Sequence, residues 1–173
     1  MTDEKTVPSI SQLPKRSATE FGDKPFILHP RTVSFKEFDA ESDKFAAGLA
    51  ELGVKKGDRV ALYMWNRPEF LTAFFGILKV GGVAVPIDPA FREREFRELL
   101  TDSEASVVVT GDVEMQIVEK TRGGLPSVKH VISLDGGNGT IKFSEVLKQS
   151  PPPEVEITPA TDLALIMYAA RER

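Results

Sequence analysis

Four short apolar runs, RVALYM (59–64), VAVPI (83–87), SVVVT (106–110) and VKHVISL (128–134), alternate with segments whose apolar residues recur at helical spacing. The runs are nearly continuous, the pattern of strands covered on both faces. A strand, helix, strand, helix rhythm of this kind predicts an α/β fold: a mostly parallel, doubly wound sheet with helices on both faces and right-handed crossovers. Ser34 followed three residues later by Glu37 is a capping-box signature. Phe38, Phe45, Leu49 and Leu52 then recur at helical spacing until Gly53 supplies a C-terminal cap. Asn66 and Pro68 open a second helix whose Phe70, Leu71, Phe74, Phe75, Ile77 and Leu78 cover most of its circumference, so it must pack on several sides. REREFRELL (92–100) predicts a charged amphipathic helix, and a further helix is expected over 112–120.

The flanks are less regular. SQLPKRSATEF (11–21) predicts a short helix opened by Ser11 with Pro14 in its first turn. Phe26 to Leu28 and Val33 to Phe35, separated by His29-Pro30-Arg31-Thr32, predict a short hairpin ahead of the sheet. GGNGT (136–140) is a turn and IKFSEVLKQ (141–149) a short amphipathic piece. The organisation expected is a flexible N-terminus at 1–9, an α/β unit at 10–150, an extended linker at 151–161, and a final segment at 162–173. In that segment LALIMY reads as a strand buried on both faces and AARER as a charged stub.

Composition narrows the chemistry. The chain is 173 residues long, enough for one domain with a real core, and its net charge of −4 with mixed signs gives no basic face for nucleic acid and no polybasic run for anionic lipid. It has no cysteine and only two histidines, His29 and His130, which removes disulfides, thiolate nucleophiles and Cys-based zinc sites and argues against a His-based one. The acidic, proline-containing start lacks the pattern of a signal peptide, and no apolar run approaches a membrane span, so a cytoplasmic location is expected.

In open α/β sheets, ligands bind beyond the carboxyl ends of the strands. That rule selects Trp65-Asn66-Arg67, Asp88 to Arg92, Gly111-Asp112 and whatever follows Tyr168. Asn66 could contact a ligand, but before a helical proline it reads as a cap. Arg92 and Arg94 are phosphate candidates at the start of their helix, although alternating Arg and Glu also describes a solvated face with helix-surface ion pairs. Asp88 before Pro89 could bind a metal or ribose, or simply open a turn. GGNGT lacks the Lys-Ser/Thr of a phosphate loop. No Ser-His-Asp set, carboxylate pair or metal spacing is visible, so no catalytic residue and no metal ligand is assigned.

Three stretches in order, TVSFKEFDAESDKFAAGLAELGVKKGDRVAL (32–62), NRPEFLTAFFGILKVGGVAVPIDP (66–89) and DLALIMY (162–168), resemble the adenylate-forming superfamily of acyl-CoA synthetases, aryl-CoA ligases, luciferases and peptide-synthetase adenylation domains. The similarity runs from about residue 10 to Tyr168. Its character is that of an acyl-CoA synthetase, such as a long-chain fatty-acid-CoA ligase. The resemblance implies a two-step reaction, adenylation of a carboxylate by Mg-ATP followed by transfer to a thiol, usually coenzyme A. In relatives the segment after DLALIMY leads into a Thr/Ser-Gly-rich loop that supplies donors to the ATP phosphates. Here Tyr168 is followed by AARER, with neither glycine nor hydroxyl.

The chain is therefore expected to be the opening portion of such a ligase, without adenylation activity and without a cofactor of its own. ATP, Mg2+ and coenzyme A belong to the intact parent, together with a fatty or aryl acid as substrate. The alternatives are a noncatalytic α/β binding or interaction module, or one half of a split ligase. Self-association through an exposed sheet edge or helix surface is expected, and neither a nucleic-acid partner nor a membrane span.

Overall fold

The computed structural model describes residues 9–137 and 139–169. The looseness expected of residues 1–9 therefore falls, apart from Ser9, outside the described residues, as does the stub beyond Ala169. The chain opens with a 3-10 turn, Ile10–Gln12, that runs directly into α1, Leu13–Phe21. Ser9, rather than the expected Ser11, caps this start, its side chain accepting from the Ser11 N–H at 3.3 Å, while Pro14 occupies the first turn of α1. A two-stranded antiparallel hairpin follows, β1 (Pro25–Ile27) and β2 (Val33–Ser34). It is shorter than the apolar pattern suggests. Leu28 projects into solvent, and Phe35 is taken as the first residue of α2, Phe35–Glu51.

The start of α2 is fixed by local chemistry. The Ser34 side chain accepts from the Glu37 N–H at 3.2 Å, and the Glu37 carboxylate accepts from the Ser34 N–H at 2.8 Å, so two otherwise unpaired amides are satisfied reciprocally. The Ser34 N–H, and then the Ser34 hydroxyl, which donates to the same carboxylate oxygen at 3.0 Å, hold the Glu37 carboxyl below its ordinary value. At the other end Gly53, at φ +87°, takes the left-handed conformation that turns the chain into β3, Arg59–Tyr63.

Next come α3 (Pro68–Lys79), β4 (Val83–Pro86), α4 (Glu93–Ser103), β5 (Val107–Thr110), α5 (Met115–Thr121), β6 (His130–Ser133), β7 (Ile141–Lys142) and α6 (Phe143–Val146). The sheet has the order β4-β3-β5-β6-β7, with every adjacent pair parallel. Alternate strand residues serve two cores. Val60, Leu62, Val107, Val109 and Ile132 pack with Phe45, Leu49 and Ile77 on one face. Ala61, Tyr63, Val108 and Val131 pack with Phe96, Leu100 and Val118 on the other. Burying each of the larger side chains stabilises the fold by roughly 1.5–3 kcal/mol relative to exposure. This double coverage is why the runs lack polar alternation.

No residue of α3 is exposed. Its Phe75 meets Phe38 edge to face at 5.6 Å, and at Gly76 a Cβ would stand 2.8 Å from Cδ1 of Phe45, so glycine sets the closeness of α2 and α3. Lys79 adds a polar clamp, with Nζ 2.6 Å from Asp39 Oδ1 and 2.5 Å from Asp43 Oδ1. Two predicted elements shift. The 112–120 helix begins later, at Met115, and IKFSEVLKQ provides an edge strand and a single helical turn rather than one amphipathic piece.

The largest departure is at 162–168. LALIMY does not form a strand buried on both faces. It runs beside β4 through one parallel bridge, Ala84 to Leu165, in which the Ala84 N–H donates to Ala164 O at 3.0 Å and the Ile166 N–H donates to Ala84 O at 2.9 Å. Ile166 and Tyr168 face the core containing Phe96, whereas Leu163, Leu165 and Met167 are 66, 37 and 74% exposed. The physical reason is position: the segment lies at the sheet edge, where only one of its faces meets a packed layer. The linker before it is tied down by Lys56, whose Nζ donates to Glu156 O at 2.8 Å and lies 2.8 Å from Asp162 Oδ2.

Candidate functional site

The sheet order determines where a crevice opens. The chain leaves β3 for β4 on one side, by way of α3 on the Phe45 face, and resumes at β5 on the other side of β3. The helix after β5, α5, lies on the opposite, Phe96 face. The connections from the carboxyl ends of β3 and β5 thus diverge, which is the topological switch point where open α/β sheets bind ligands.

The residues at this point are Met64 to Arg67 after β3 and Gly111 to Glu114 after β5. The Gly111 N–H donates to Tyr63 O at 3.2 Å and joins the two exits. Trp65 stands 60% exposed at the rim, and Val113 opposite is also exposed. Glu114, by contrast, is only 5% exposed, and its Oε1 is sealed from solvent with no hydrogen-bond partner among the described residues. Its side chain lies against Gly111, where a Cβ would stand 2.2 Å from Oε2, so a larger residue there would displace the carboxylate. Tyr63 is fully packed and donates its hydroxyl to Phe91 O at 2.6 Å. Burial, and then the negative charge of Glu114, push the Tyr63 phenol above its ordinary value.

The other exits are quieter. Asp88 opens a turn, its Oδ1 accepting from the Ala90 N–H at 2.9 Å. Arg92 precedes α4, its backbone N–H donating to Glu95 Oε2 at 3.3 Å. Arg94 is exposed and lies 3.7 Å from Glu95 and 3.8 Å from Glu98. Tyr168 donates its hydroxyl to Asp102 Oδ2 at 2.7 Å. Burial, then the bond to Asp102, push the Tyr168 phenol up to about 12. Arg94 is in the first turn of α4 and Asp102 near its end, eight residues on, a rise of about 12 Å. The structure therefore does not bring the arginine pair and Tyr168 together.

Asn66 is not the cap that its place before Pro68 suggests. Arg67 occupies the N-cap position, with no side-chain cap bond, and Asn66 is exposed. With Arg67 and Phe70 it lines a depression of about 370 Å³, to which the hairpin contributes Ile27 and His29. Sequence reasoning assigned His29 to a turn and had no signal linking it to Asn66, 37 residues away. Glu114 was likewise missed, because a lone acid near a helix start has no pattern of its own. The crevice offers an aromatic face at Trp65, one cation at Arg67, paired with Glu69 at 2.9 Å, and one unpaired acceptor at Glu114, which suits binding. No group of three His, Asp or Glu side chains that could hold a metal occurs among the described residues.

Residues 14–170 match the family model described as AMP-binding enzyme. Over 130 residues the chain is 37% identical to a long-chain-fatty-acid-CoA ligase of Salmonella typhimurium, covering 72% of this chain and 22% of that ligase. A fatty acyl CoA synthetase structure from Mycobacterium tuberculosis superposes with a TM-score of 0.83 at 28% identity, over 92% of this chain and 32% of the other. The structure of the anthranilate CoA ligase AuaEII in complex with anthranoyl-AMP superposes with a TM-score of 0.89, over 99% and 34% of the two chains. At 24% identity that match speaks to fold alone. The chain thus spans about a fifth of the length of the curated ligase it matches.

Proposed function

Because the chain belongs to the family of AMP-binding enzymes, we propose that it is the opening α/β portion of an ATP-dependent acyl-CoA synthetase, and that alone it provides scaffold rather than catalysis. The observation that carries this reading is the 37% identity to a fatty-acid-CoA ligase over most of the chain. In the parent reaction a carboxylate attacks the α-phosphate of ATP, forming an acyl-adenylate and releasing pyrophosphate. The thiol of coenzyme A then attacks the acyl carbon and AMP departs. A carboxylate oxygen is a poor leaving group, and adenylation replaces it with a stabilised phosphate monoester.

This chain's own part is positional. The parallel sheet sets the exits of β3, β4 and β5 at one end, and the 163–168 segment is held beside β4 by two backbone bonds. Arg92 and Arg94 remain phosphate candidates by position, and Tyr168 anchors the approach to the segment that follows it. In this reading magnesium enters the parent site with ATP, whose phosphates supply much of its coordination, and this chain's residues are given no part in holding it. A fatty or aryl acid, ATP and coenzyme A are the substrates this reading gives the parent, and a cytoplasmic setting suits them. No helix among the described residues is long and apolar enough to cross a membrane.

Acid-dependent exchange of labelled pyrophosphate into ATP, measured on the 173-residue chain with a panel of fatty and aryl acids, tests the proposal. Background exchange is expected, and turnover above it overturns the scaffold reading.

A second reading rests on the exposed Leu163, Leu165 and Met167 face: a noncatalytic interaction module, or one half of a split ligase, would use such a face to bind a separate chain. Exchange activity that arises only on mixing with a chain carrying the remainder of the ligase would favour the split enzyme. Binding without activity would favour the module.

A further inference from the structure

The segment beside β4 has one edge in use and one free. Its bonds to β4 involve Ala164 O and the Ile166 N–H. The N–H and C=O groups of Leu163, Leu165 and Met167 point the other way, as alternation along a strand requires, and have no hydrogen-bond partner among the described residues. Free edges are ordinarily blunted by lysine, proline or a bulge. No charged residue or proline occurs from Leu163 to Tyr168, and the acid before them, Asp162, is held by Lys56 at 2.8 Å. The side chains of Leu163, Leu165 and Met167 share the face opposite to that on which Ile166 and Tyr168 pack. At the Leu163 end this face opens into a cavity of about 210 Å³, whose apolar walls are Ile10, Leu78, Ile157 and Leu163 itself. At the other end Met167 projects into solvent.

We propose that this edge pairs with the same edge of a second copy of the chain, antiparallel about a two-fold axis at Leu165. In that register Leu165 faces its own counterpart and Leu163 faces Met167 of the second copy, so all three residues exchange N–H···O bonds across the axis. Residues that face one another in this way lie on the same side of the joined sheet. Met167 of each copy therefore arrives beside Leu163 of the other, at the mouth of the 210 Å³ cavity. A flexible thioether suits an irregular apolar gap of this kind. An axis shifted by one residue would bring Ala169 there instead, too short to enter. The contact is isologous: the cavity and the side chain that fills it come from the same patch, so a second copy satisfies both ends at once. The pairing does not depend on the ligase reading, because a scaffold and an interaction module present the same edge.

The chain has no cysteine, so introduced ones report the register. A hydrogen-bonded antiparallel pair holds its Cα atoms about 5.5 Å apart, within disulfide range, and Leu165→Cys should give a disulfide-linked dimer under mild oxidation. Leu163→Cys and Met167→Cys should each stay unlinked alone, because like residues stand about 14 Å apart along the strands, and should link when mixed. Leu163→Cys linking to itself would indicate parallel pairing and overturn the proposal, as would a dimer in which Leu165→Cys stays unlinked. In sedimentation velocity, Met167→Ala leaves both cavities unfilled and should raise the dimer dissociation constant about tenfold or more. Leu28→Ala removes an equally exposed side chain from the hairpin, and should raise it by less than about twofold. Equal weakening by Leu28→Ala would show unspecific apolar association and overturn the pairing. A wild-type chain that stays monomeric at high concentration would overturn it too, and leave the face to a different chain.

Discussion

Replacing Glu114 by methionine removes a carboxylate whose Oε1 is buried without a partner, and it should make the protein more stable. A buried acceptor left without a hydrogen bond costs about 1–3 kcal/mol. Against that, Glu114 occupies the N-cap position of α5, where a negative charge is favourable by about 0.3–1 kcal/mol. Methionine has a similar length and the flexibility to lie over Gly111. The expected outcome of Glu114→Met is therefore a gain of about 1 kcal/mol, read as a higher urea midpoint at unchanged slope. Glu114→Gln keeps a polar oxygen in the same place and should gain little. A second readout is independent of stability. Glu114 helps raise the Tyr63 phenol, so either substitution should move that phenol back toward its ordinary value. Spectrophotometric titration can follow this, because the chain has only two tyrosines. A loss of 1 kcal/mol or more in Glu114→Met would refute the reasoning, since it would mean that the carboxylate is satisfied in solution.

Three further outcomes are expected. Gly48→Ala should destabilise by about 1–2 kcal/mol in chemical denaturation despite a helix-propensity gain of about 1 kcal/mol, because its Cβ would stand 1.8 Å from Val146 O and force α6 outward. The Tyr168 phenol is raised in the native state. The neutral phenol's contribution is therefore fully present below the ordinary value near 10 and lost as pH rises from there through about 12, so Tyr168→Phe should flatten the alkaline limb of the stability profile in that window. The exposed face of the last segment should drive self-association at high protein concentration, and Leu163→Lys with Met167→Lys should abolish it. A wild-type chain that is monomeric by light scattering would remove this idea.

What could be read from the sequence was whatever its chemistry fixes locally. Ser34 and Glu37 satisfy each other's amides within four residues, so the start of α2 needed no tertiary information. The continuous apolar runs of β3 and β5 likewise follow from being sandwiched, and two cores indeed take their alternate residues. The errors arose where the deciding partner is distant. Asn66 before Pro68 has the form of a cap, yet the chain enters α3 with Arg67 extended, and Asn66 faces the hairpin's depression instead. The Ile141–Lys142 strand exists because β6 offers it an edge, which no property of two residues can announce.

LALIMY shows the same limit most sharply, because its composition is that of a central strand while its position is that of an edge. Its alternation is written in accessibility, not in residue type: Ile166 and Tyr168 are packed, and Leu163 and Met167, equally apolar, are not. An apolar residue on a face open to water contributes nothing to this chain's own core. Three such residues on one face form a surface suited to being covered. The packing of this segment favours a larger assembly, whether a longer ligase, a second chain or a second copy, independently of the resemblance of its sequence. Packing and family membership are separable. Self-association should be abolished by charges at Leu163 and Met167, whereas membership of the ligase family would survive the failure of that prediction unchanged.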